Sequence, residues 1–397
     1  MVTGLSELAG RLRESLIQQL FTEFREDPDV ISFAAGAPDE RLLPVEVLDA
    51  IIAETAAGYG RRILQYGPVQ GFAPLIEALL PVLHRRGVKV GADEVHVTTG
   101  ATGALFAVCA AVLDPGDRVL VSDPSYGAGT GFFSVFGADV VGVPSDREGM
   151  LPDALDRELR RAPTKLIYLM PTYQNPTGAN MSSQRRADLA GVVARHGTLV
   201  VEDDAYCELW YRAEPAAALY AHVPEQTVYI GSLSKSVAPA LRLGYATMPA
   251  ELLGKVMQIK QFLDMQTSVL TQAVAARFLA RHFAEHTDRL RREYGRRLAA
   301  TCSALHAAGL DDFSWDQPDG GMFLWLRGPR GFRVDRDLLR SAAAAGVLFV
   351  PGSQFHVDPE AGLGTLRLCF ASCDPDRIAE GIARLASVLR AARRGDP

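Results

Sequence analysis

The segment Ser232–Gly244, SLSKSVAPALRLG, places one lysine in a loop of small residues that follows a predicted strand. Such a lysine is mobile, and burial beside cations lowers the pKa of its amine toward the neutral, nucleophilic form. Most lysines in loops of this kind have no role beyond contact with solvent. Arg242, considered alone, would most simply form an ion pair on the surface. Lys235 is therefore a candidate nucleophile only if the rest of the chain supplies matching groups.

A candidate anion site lies in Thr99–Leu105, TGATGAL, which follows the strand-like run EVHVTT and begins an apolar helix. Glycines let the backbone approach a ligand closely, and free N–H groups at a helix N-terminus bind anions. The sequence thus predicts an anion cradle at Gly100, Ala101 and Thr102. A glycine-rich turn that only caps the helix is the simpler alternative.

Two further polar segments end predicted strands, where open α/β sheets bind their ligands. Glu202–Tyr206 reads EDDAY, and Asn175–Gly178 reads NPTG after the apolar run KLIYLM. Alone, NPTG would be an ordinary turn and EDDAY an acidic loop that caps a helix, a role we expect for Asp204. Arg367 stands inside the apolar run TLRLCF, where its guanidinium needs a buried partner.

With these motifs the chain resembles the class I and II aminotransferases that use pyridoxal 5′-phosphate, of fold type I, and most closely the branch of kynurenine and 2-aminoadipate aminotransferases. The likeness runs from ISFAAGAPDERLLP to LRLCFAS, nearly the whole chain. It implies that Lys235 holds the cofactor as a Schiff base and acts as acid and base. It also implies that Ser232, Ser234 and Arg242 bind the cofactor phosphate, a dianion suited to hydroxyls and a guanidinium.

The resemblance assigns the groups around the cofactor ring. Asp203 would face the pyridine nitrogen, which strengthens the ring as an electron sink, and Tyr206 would donate to the ring 3′-oxygen. Asn175 would bind that oxygen as well and line the substrate site. Tyr126, in DPSYGAGT, matches an aromatic side chain that stacks on the ring.

The resemblance also implies how substrate and a second subunit bind. Arg367 matches the arginine that holds the substrate α-carboxylate, and Gly36 matches a small residue in a loop that closes over substrate. Tyr66, in LQYGPVQG, matches a tyrosine that reaches the phosphate bound by the partner subunit, which implies a homodimer with shared active sites. Residues near 37–43, Tyr126 and Phe355 are candidates for the side-chain pocket.

The wider sequence predicts an α/β protein whose large domain has a mostly parallel sheet flanked by helices, because β-branched runs alternate with amphipathic stretches from Glu94 onward. A helical pattern follows from Glu251 to Ala308, and another covers Leu5 to Phe24. Strand-like runs and helices then alternate to the end, which predicts a small α+β domain. We expect residues 1–45 to form an N-terminal arm and part of the small domain, 46–285 the large domain, and 286–397 the C-terminal small domain.

Composition narrows the function. The 397 residues carry a net charge of −6, which disfavours nucleic acid and anionic lipid as partners. The five cysteines have no paired metal spacing, so we expect no metal and a reducing compartment. No run approaches the roughly 20 apolar residues that span a bilayer, and the first residues do not read as a secretory signal. These features predict a cytoplasmic protein with small-molecule ligands.

The implied reaction is a ping-pong transfer of an amino group from an L-amino acid to a 2-oxo acid. Two alternatives remain at this point. The same scaffold and cofactor also support elimination, cyclisation or oxidation of an amino-acid-like substrate, and the family's paired glycines are replaced by Ala35-Gly36-Ala37. The other alternative is a ligand-sensing regulator without turnover. It is disfavoured because only about thirty residues precede ISFAAGAP, too few for a DNA-binding module and a linker.

Overall fold

The computed structural model describes residue 4 and residues 6–11, 29–126 and 131–394. Of the helix expected between Leu5 and Phe24, only the short helix α1 (Glu7–Arg11) lies within these residues. The helix expected near Gly127 lies outside them.

A large mixed sheet forms the centre of the fold. Its strands are β2 (His96–Thr99), β3 (Arg118–Asp123), β4 (Asp139–Asp146), β5 (Gly149–Met150), β6 (Leu166–Leu169), β7 (Leu199–Asp203), β8 (Thr227–Ser232) and β9 (Leu243–Thr247). Their spatial order is β2-β9-β8-β7-β6-β3-β4-β5. Every residue of β6, β8 and β9 is buried, as expected for apolar strands that are covered on both faces.

The strands from β8 across to β4 run parallel, whereas β9 is antiparallel to both of its neighbours. Parallel strands end at a common edge of the sheet. This arrangement brings together the segments that follow β6, β7 and β8. The NPTG, EDDAY and lysine segments therefore meet at one edge, although Asn175 and Lys235 are 60 positions apart in the chain.

Helices cover the large sheet and connect many of its strands, and the last two helices of the chain belong to the smaller α+β unit. The helices are α2 (Val45–Tyr59), α3 (Ala73–Arg85), α4 (Gly100–Val112), α5 (Phe132–Val135), α6 (Pro152–Arg161), α7 (Ser183–His196), α8 (Ala250–Leu263), α9 (Val269–Arg281), α10 (Phe283–Ala307), α11 (Arg336–Ala344) and α12 (Pro375–Arg394). The helical pattern from Glu251 to Ala308 is confirmed as the three helices α8, α9 and α10. The sequence pattern did not predict α2 or α3, and α3 contains Pro81, a residue that disfavours a helix interior.

A smaller antiparallel sheet has the order β10-β11-β14-β13 and consists of β10 (Ser314–Trp315), β11 (Phe323–Arg327), β13 (Val350–Pro351) and β14 (Thr365–Cys369). Beside it, β1 (Ile31–Ser32) pairs in parallel with β12 (Val347–Leu348). The predicted fold class, a mostly parallel large sheet with a small α+β unit, is confirmed. The domain boundaries stay a prediction, and the one at 285/286 falls inside α10.

In the described part of the chain, no helix is both long and apolar enough to cross a membrane. The same residues contain no group of three or more His, Cys, Asp and Glu side chains placed to hold a metal ion.

Candidate functional site

Lys235 follows β8 and lies half-buried at the edge of the large sheet. Its Nζ donates to the carbonyl oxygen of Gly36 at 2.7 Å, which brings the N-terminal loop to the lysine. Burial lowers the pKa of Lys235, and the positive charges of Arg367 and Arg242 lower it further. A larger fraction of the amine is therefore neutral, and only the neutral amine attacks a carbonyl group.

Asp203 ends β7 beside this lysine and is 9% exposed. Its Oδ2 accepts a hydrogen bond from the Tyr168 hydroxyl at 2.9 Å, while its buried Oδ1 has no hydrogen-bond partner. Burial raises the pKa of Asp203 to about 6, although the Tyr168 hydrogen bond and the Lys235 charge oppose that rise. The carboxylate is thus mostly ionised at neutral pH and keeps one oxygen free for a cationic or N–H ligand.

The start of α4 forms a narrow cradle with Arg242. Gly100 has a φ of +74°, and a Cβ there would lie 2.7 Å from Nη2 of Arg242. A Cβ at Gly244 would lie 2.6 Å from the Ala101 nitrogen, so β9 also passes close to the helix start. The hydroxyl of Thr99 donates to Asp264 at 2.5 Å and does not cap the helix. The first N–H groups of α4 are therefore not capped by Thr99.

Ser232 pairs with Gly244 of β9, which lies against the start of α4, so the predicted serine ligands are next to this cradle. Ser232 and Ser234 are buried, and the Ser234 amide donates to the Ser232 hydroxyl at 3.2 Å. Arg242 has a left-handed φ of +52°, and its Nη1 donates to the Pro239 carbonyl oxygen at 3.3 Å. Thr102 is exposed on the first turn of α4. Hydroxyls, a guanidinium and a helix N-terminus together suit a phosphate.

Arg367 connects the small sheet to the large one. Its Nη1 donates to Oδ1 of Asn175 at 2.8 Å and its Nη2 to the Ala34 carbonyl oxygen at 2.5 Å. The guanidinium carbon lies 4.3 Å from the Phe323 ring centre and 5.0 Å from that of Phe355. The buried Nε has no hydrogen-bond partner, so the fork has unused donor capacity for a planar carboxylate.

A cis peptide bond and a backbone hydrogen bond define the position of the NPTG turn. The Asn175–Pro176 peptide bond is cis, a property that the sequence alone did not reveal. The Asn175 carbonyl oxygen accepts a hydrogen bond from the Tyr126 amide at 2.9 Å. The turn thus holds the loop of Tyr126 and, through its side chain, Arg367.

The aromatic candidates occupy different positions. Tyr206 is buried edge-on against Phe323, with ring centres 5.5 Å apart. Tyr126 is 39% exposed, and burial together with the negative charge of Asp203 raises the pKa of its hydroxyl.

Gly36 lies against Phe323, since a Cβ at Gly36 would be 3.3 Å from that ring. Tyr66 is not part of this cluster, because its side chain is 76% exposed on the surface.

The expectation that Asp204 caps a helix is wrong. Asp204 is 1% exposed and forms an ion pair with Nε of Arg86 at 2.9 Å. The Tyr229 hydroxyl donates to the same Oδ2 at 2.8 Å. Although burial opposes ionisation, the charges of Arg86 and Arg186 keep the pKa of Asp204 below its ordinary value. Arg86 lies 118 residues away in the chain, so local sequence gave no sign of this pair.

Sequence reasoning also missed Tyr168 and Phe323. Tyr168 is the one hydroxyl-bearing side chain inside the run KLIYLM, and an isolated polar atom in a buried strand requires a partner. That rule identifies Tyr168 as noteworthy but does not name Asp203 as its partner. Nothing in the sequence distinguished Phe323 from an ordinary core residue.

The arrangement fits pyridoxal phosphate. A free buried carboxylate oxygen suits a pyridine N–H, the α4 cradle suits a phosphate, and a lysine whose pKa is lowered by burial suits an aldehyde. The three lie along one edge of the large sheet.

Comparison with known proteins supports this reading. Residues 28–385 match the family model "Aminotransferase class I and II". The 2-aminoadipate transaminase of Thermus thermophilus is 35% identical over 96% of this chain and 95% of its own length. The aromatic-amino-acid aminotransferase 1 of Thermococcus litoralis is 32% identical over 97% of this chain and 94% of its own.

Among solved structures, a kynurenine aminotransferase from Pyrococcus horikoshii superposes with a TM-score of 0.92, at 32% identity, over 97% of this chain and 96% of its own. That structure was solved with PMP, the amino form of pyridoxal phosphate. The chain belongs to the class I and II aminotransferase family. It is a fold-type I enzyme that uses pyridoxal phosphate for transamination.

Proposed function

We propose that this enzyme transfers the amino group of an L-amino acid to a 2-oxo acid in two half-reactions, with Lys235 as the cofactor-binding and proton-transferring residue. The observation that carries the proposal is the position of Lys235, which lies half-buried at the edge of the large sheet where Asp203 ends β7 and Arg367 bonds Asn175. Bound pyridoxal phosphate supplies an aldehyde that takes up the amino group and a ring that withdraws electrons from the substrate Cα.

Different residues bind the phosphate, the ring nitrogen and the ring oxygen of the cofactor in this proposal. We assign the phosphate to Gly100, Ala101, Thr102, Ser232, Ser234 and Arg242. Asp203 would hold a proton on the pyridine nitrogen through its Oδ1, which has no hydrogen-bond partner among the described residues. Tyr206 and Asn175 would bind the ring 3′-oxygen, and Tyr126 would stack on the ring. These assignments follow the resemblance to the aminotransferase family, and the position of these residues along one edge of the large sheet supports them.

Arg367 binds the substrate α-carboxylate and thereby orients Cα. Its guanidinium is held by Asn175 and Ala34 and lies between two aromatic rings, so it is already positioned before substrate arrives. With the cofactor bound, the Lys235 amine would move a proton between the substrate Cα and the cofactor carbon C4′. Gly36 brings its carbonyl oxygen to Lys235 and leaves space beside Arg367.

We further propose a homodimer with shared active sites. Large apolar side chains are exposed in two segments: Leu64 (78%) with Tyr66 (76%), and Phe262 (91%) with Met265 (49%). The Gly67 amide donates to the Gln266 side chain, so the segments are adjacent. Exposed apolar clusters of this kind mark interaction surfaces, and Tyr66 would extend from this one into the partner's phosphate site.

We place the enzyme in the cytoplasm. All five cysteines are free and buried, which is compatible with a reducing compartment.

A donor and acceptor screen tests the reaction. Purified protein with pyridoxal phosphate is incubated with individual L-amino acids and 2-oxoglutarate, and glutamate formation is followed. We expect glutamate to form with at least one donor. Double-reciprocal plots of initial rate against donor concentration, measured at several 2-oxoglutarate concentrations, should give the parallel lines of a ping-pong mechanism. Consumption of an amino acid without any glutamate would instead favour elimination, cyclisation or oxidation.

A further inference from the structure

We propose that Tyr168 is a positioning residue that sets the orientation and charge of Asp203 for the pyridine nitrogen of the cofactor. The inference rests on the proposed role of Asp203. It concerns a residue that does not itself contact the cofactor but acts through the carboxylate.

The sheet register brings the two side chains together. In the parallel pair β6–β7, Tyr168 lies opposite Val201, and Asp203, two residues further along β7, points to the same face. The Tyr168 hydroxyl donates to Oδ2 of Asp203 at 2.9 Å. Oδ1 is left as the oxygen without a partner. The hydrogen bond therefore selects which carboxylate oxygen is available.

Packing holds the phenol in place. Tyr168 is 0% exposed, and its ring meets Phe133 edge-on with ring centres 5.5 Å apart. A ring packed on all sides cannot follow a carboxylate that rotates, so Asp203 keeps the orientation that the phenol imposes. The hydroxyl has no other protein acceptor in the described residues.

The hydrogen bond also affects the charge of Asp203. Burial raises the pKa of Asp203 to about 6, and the Tyr168 hydrogen bond opposes that rise because it stabilises the ionised form. If the Tyr168 hydroxyl were removed, the pKa of Asp203 would rise further toward neutral pH. A protonated Asp203 would no longer carry the negative charge that holds a proton on the pyridine nitrogen.

The chain contains a matched control. On the opposite face of β7, the hydroxyl of Tyr229 donates to Oδ2 of Asp204 at 2.8 Å. Tyr229 is also 0% exposed and belongs to β8, the other neighbour of β7. Both tyrosines are therefore buried phenols bonded to consecutive carboxylates. Only the Tyr168 bond concerns the carboxylate that we assign to the cofactor.

The test compares Tyr168→Phe with Tyr229→Phe in the otherwise unchanged full-length chain. Each apoenzyme is titrated with pyridoxamine 5′-phosphate, which forms no imine with Lys235, between pH 5.5 and 8.5. We expect Tyr168→Phe to bind about tenfold more weakly at pH 7, the size expected for a hydrogen bond to a charged group. The pH below which affinity falls should also rise. Tyr229→Phe should bind within about twofold of the wild type, because its bond lies on the other face.

A second substitution, which strengthens the hydrogen bond instead of removing it, keeps the test decisive if the phenylalanine variant does not fold. Difluorotyrosine at position 168 preserves the side-chain shape and donates a stronger hydrogen bond, so the pH below which affinity falls should move downward. The proposal is overturned if the affinity and its pH dependence are unchanged by difluorotyrosine, or if Tyr168→Phe behaves like Tyr229→Phe. Failure of the proposed function is distinct, because wild-type apoenzyme would then bind no pyridoxamine 5′-phosphate.

Discussion

At the scale of single residues, Asp203 shows a conflict between stability and function. Its pKa is raised from 3.8 to about 6 by burial, so the folded protein holds this proton more tightly than the unfolded chain. The stabilisation is complete below about pH 4 and is lost as the pH rises through 6. Above that pH the ionised carboxylate destabilises the apoenzyme, by about 3 kcal/mol at most for a shift of this size.

We therefore predict that Asp203→Asn stabilises the apoenzyme at pH 7.5 by about 1–3 kcal/mol and reduces transamination by at least about a hundredfold. The amide can still accept the Tyr168 hydrogen bond but cannot hold a proton on the cofactor ring. Urea unfolding of cofactor-free protein at pH 7.5 and pH 4 measures the first effect. The gain in the free energy of unfolding should disappear at pH 4, and an equal gain at both pH values would contradict this account.

At the scale of elements, the junction of β2 and α4 combines a left-handed backbone conformation with a close side-chain contact. Gly100 has a positive φ, and its missing Cβ leaves room for the Arg242 guanidinium. Gly116 also has a positive φ, of +91°, but a Cβ there would meet nothing within 4 Å. The two glycines separate the cost of backbone strain from the contact with Arg242.

We predict that Gly100→Ala and Gly116→Ala each destabilise the protein by about 1–2 kcal/mol, because alanine is strained at positive φ. Only Gly100→Ala should weaken cofactor binding, by about tenfold or more, since its methyl group displaces Arg242 from the cradle. Thermal unfolding and cofactor titration measure the two effects. Equal cofactor affinity in both variants would show that Arg242 does not bind the phosphate.

How much the sequence could predict depended on how local each feature is. Asp203 ends a strand, and Lys235 and Asn175 lie in the loops that follow two others. The alternation of strands and helices already predicts parallel strands whose ends meet. Their clustering at one edge therefore followed from the pattern.

Features that depend on register or on distant packing could not be predicted. The Tyr168–Asp203 bond requires the β6–β7 register, and the pairing of Asp204 with Arg86 joins residues 118 positions apart. The rings of Phe323, in β11, and of Phe355, four residues after β13, contact Arg367 through the packing of the small unit. Sequence patterns fix neither the register nor the packing of such elements, which is why Asp204 was wrongly expected to cap a helix.

At the scale of the whole molecule, the site lies where the small sheet meets the large one. Arg367 of β14 bonds Asn175 of the large-sheet edge, and Lys235 of that edge bonds Gly36 of the N-terminal segment. Substrate bound to Arg367 and cofactor bound to Lys235 would thus be held by different parts of the fold. Any change in how these parts pack alters the distance between the reacting groups.

The proposed dimer gives a prediction at the same scale. Replacing Leu64 and Phe262 together with aspartate should convert the dimer to monomer and lower activity at least about tenfold, because charges would be buried in an apolar interface. Light scattering after gel filtration measures the mass. Ala344→Asp, an exposed change on α11 in the small unit, is the control and should stay dimeric. A wild-type protein that is monomeric at micromolar concentration would refute the shared site.

The most direct test of the account is to reduce the reconstituted enzyme with borohydride and map the modified peptide by mass spectrometry, with Lys235→Ala treated in parallel. We predict a yellow holoenzyme whose pyridoxyl group becomes fixed on Lys235 alone, and a Lys235→Ala protein that retains no fixed label. A label on another lysine, or cofactor bound by the wild type without any reducible bond at Lys235, would contradict the central claim.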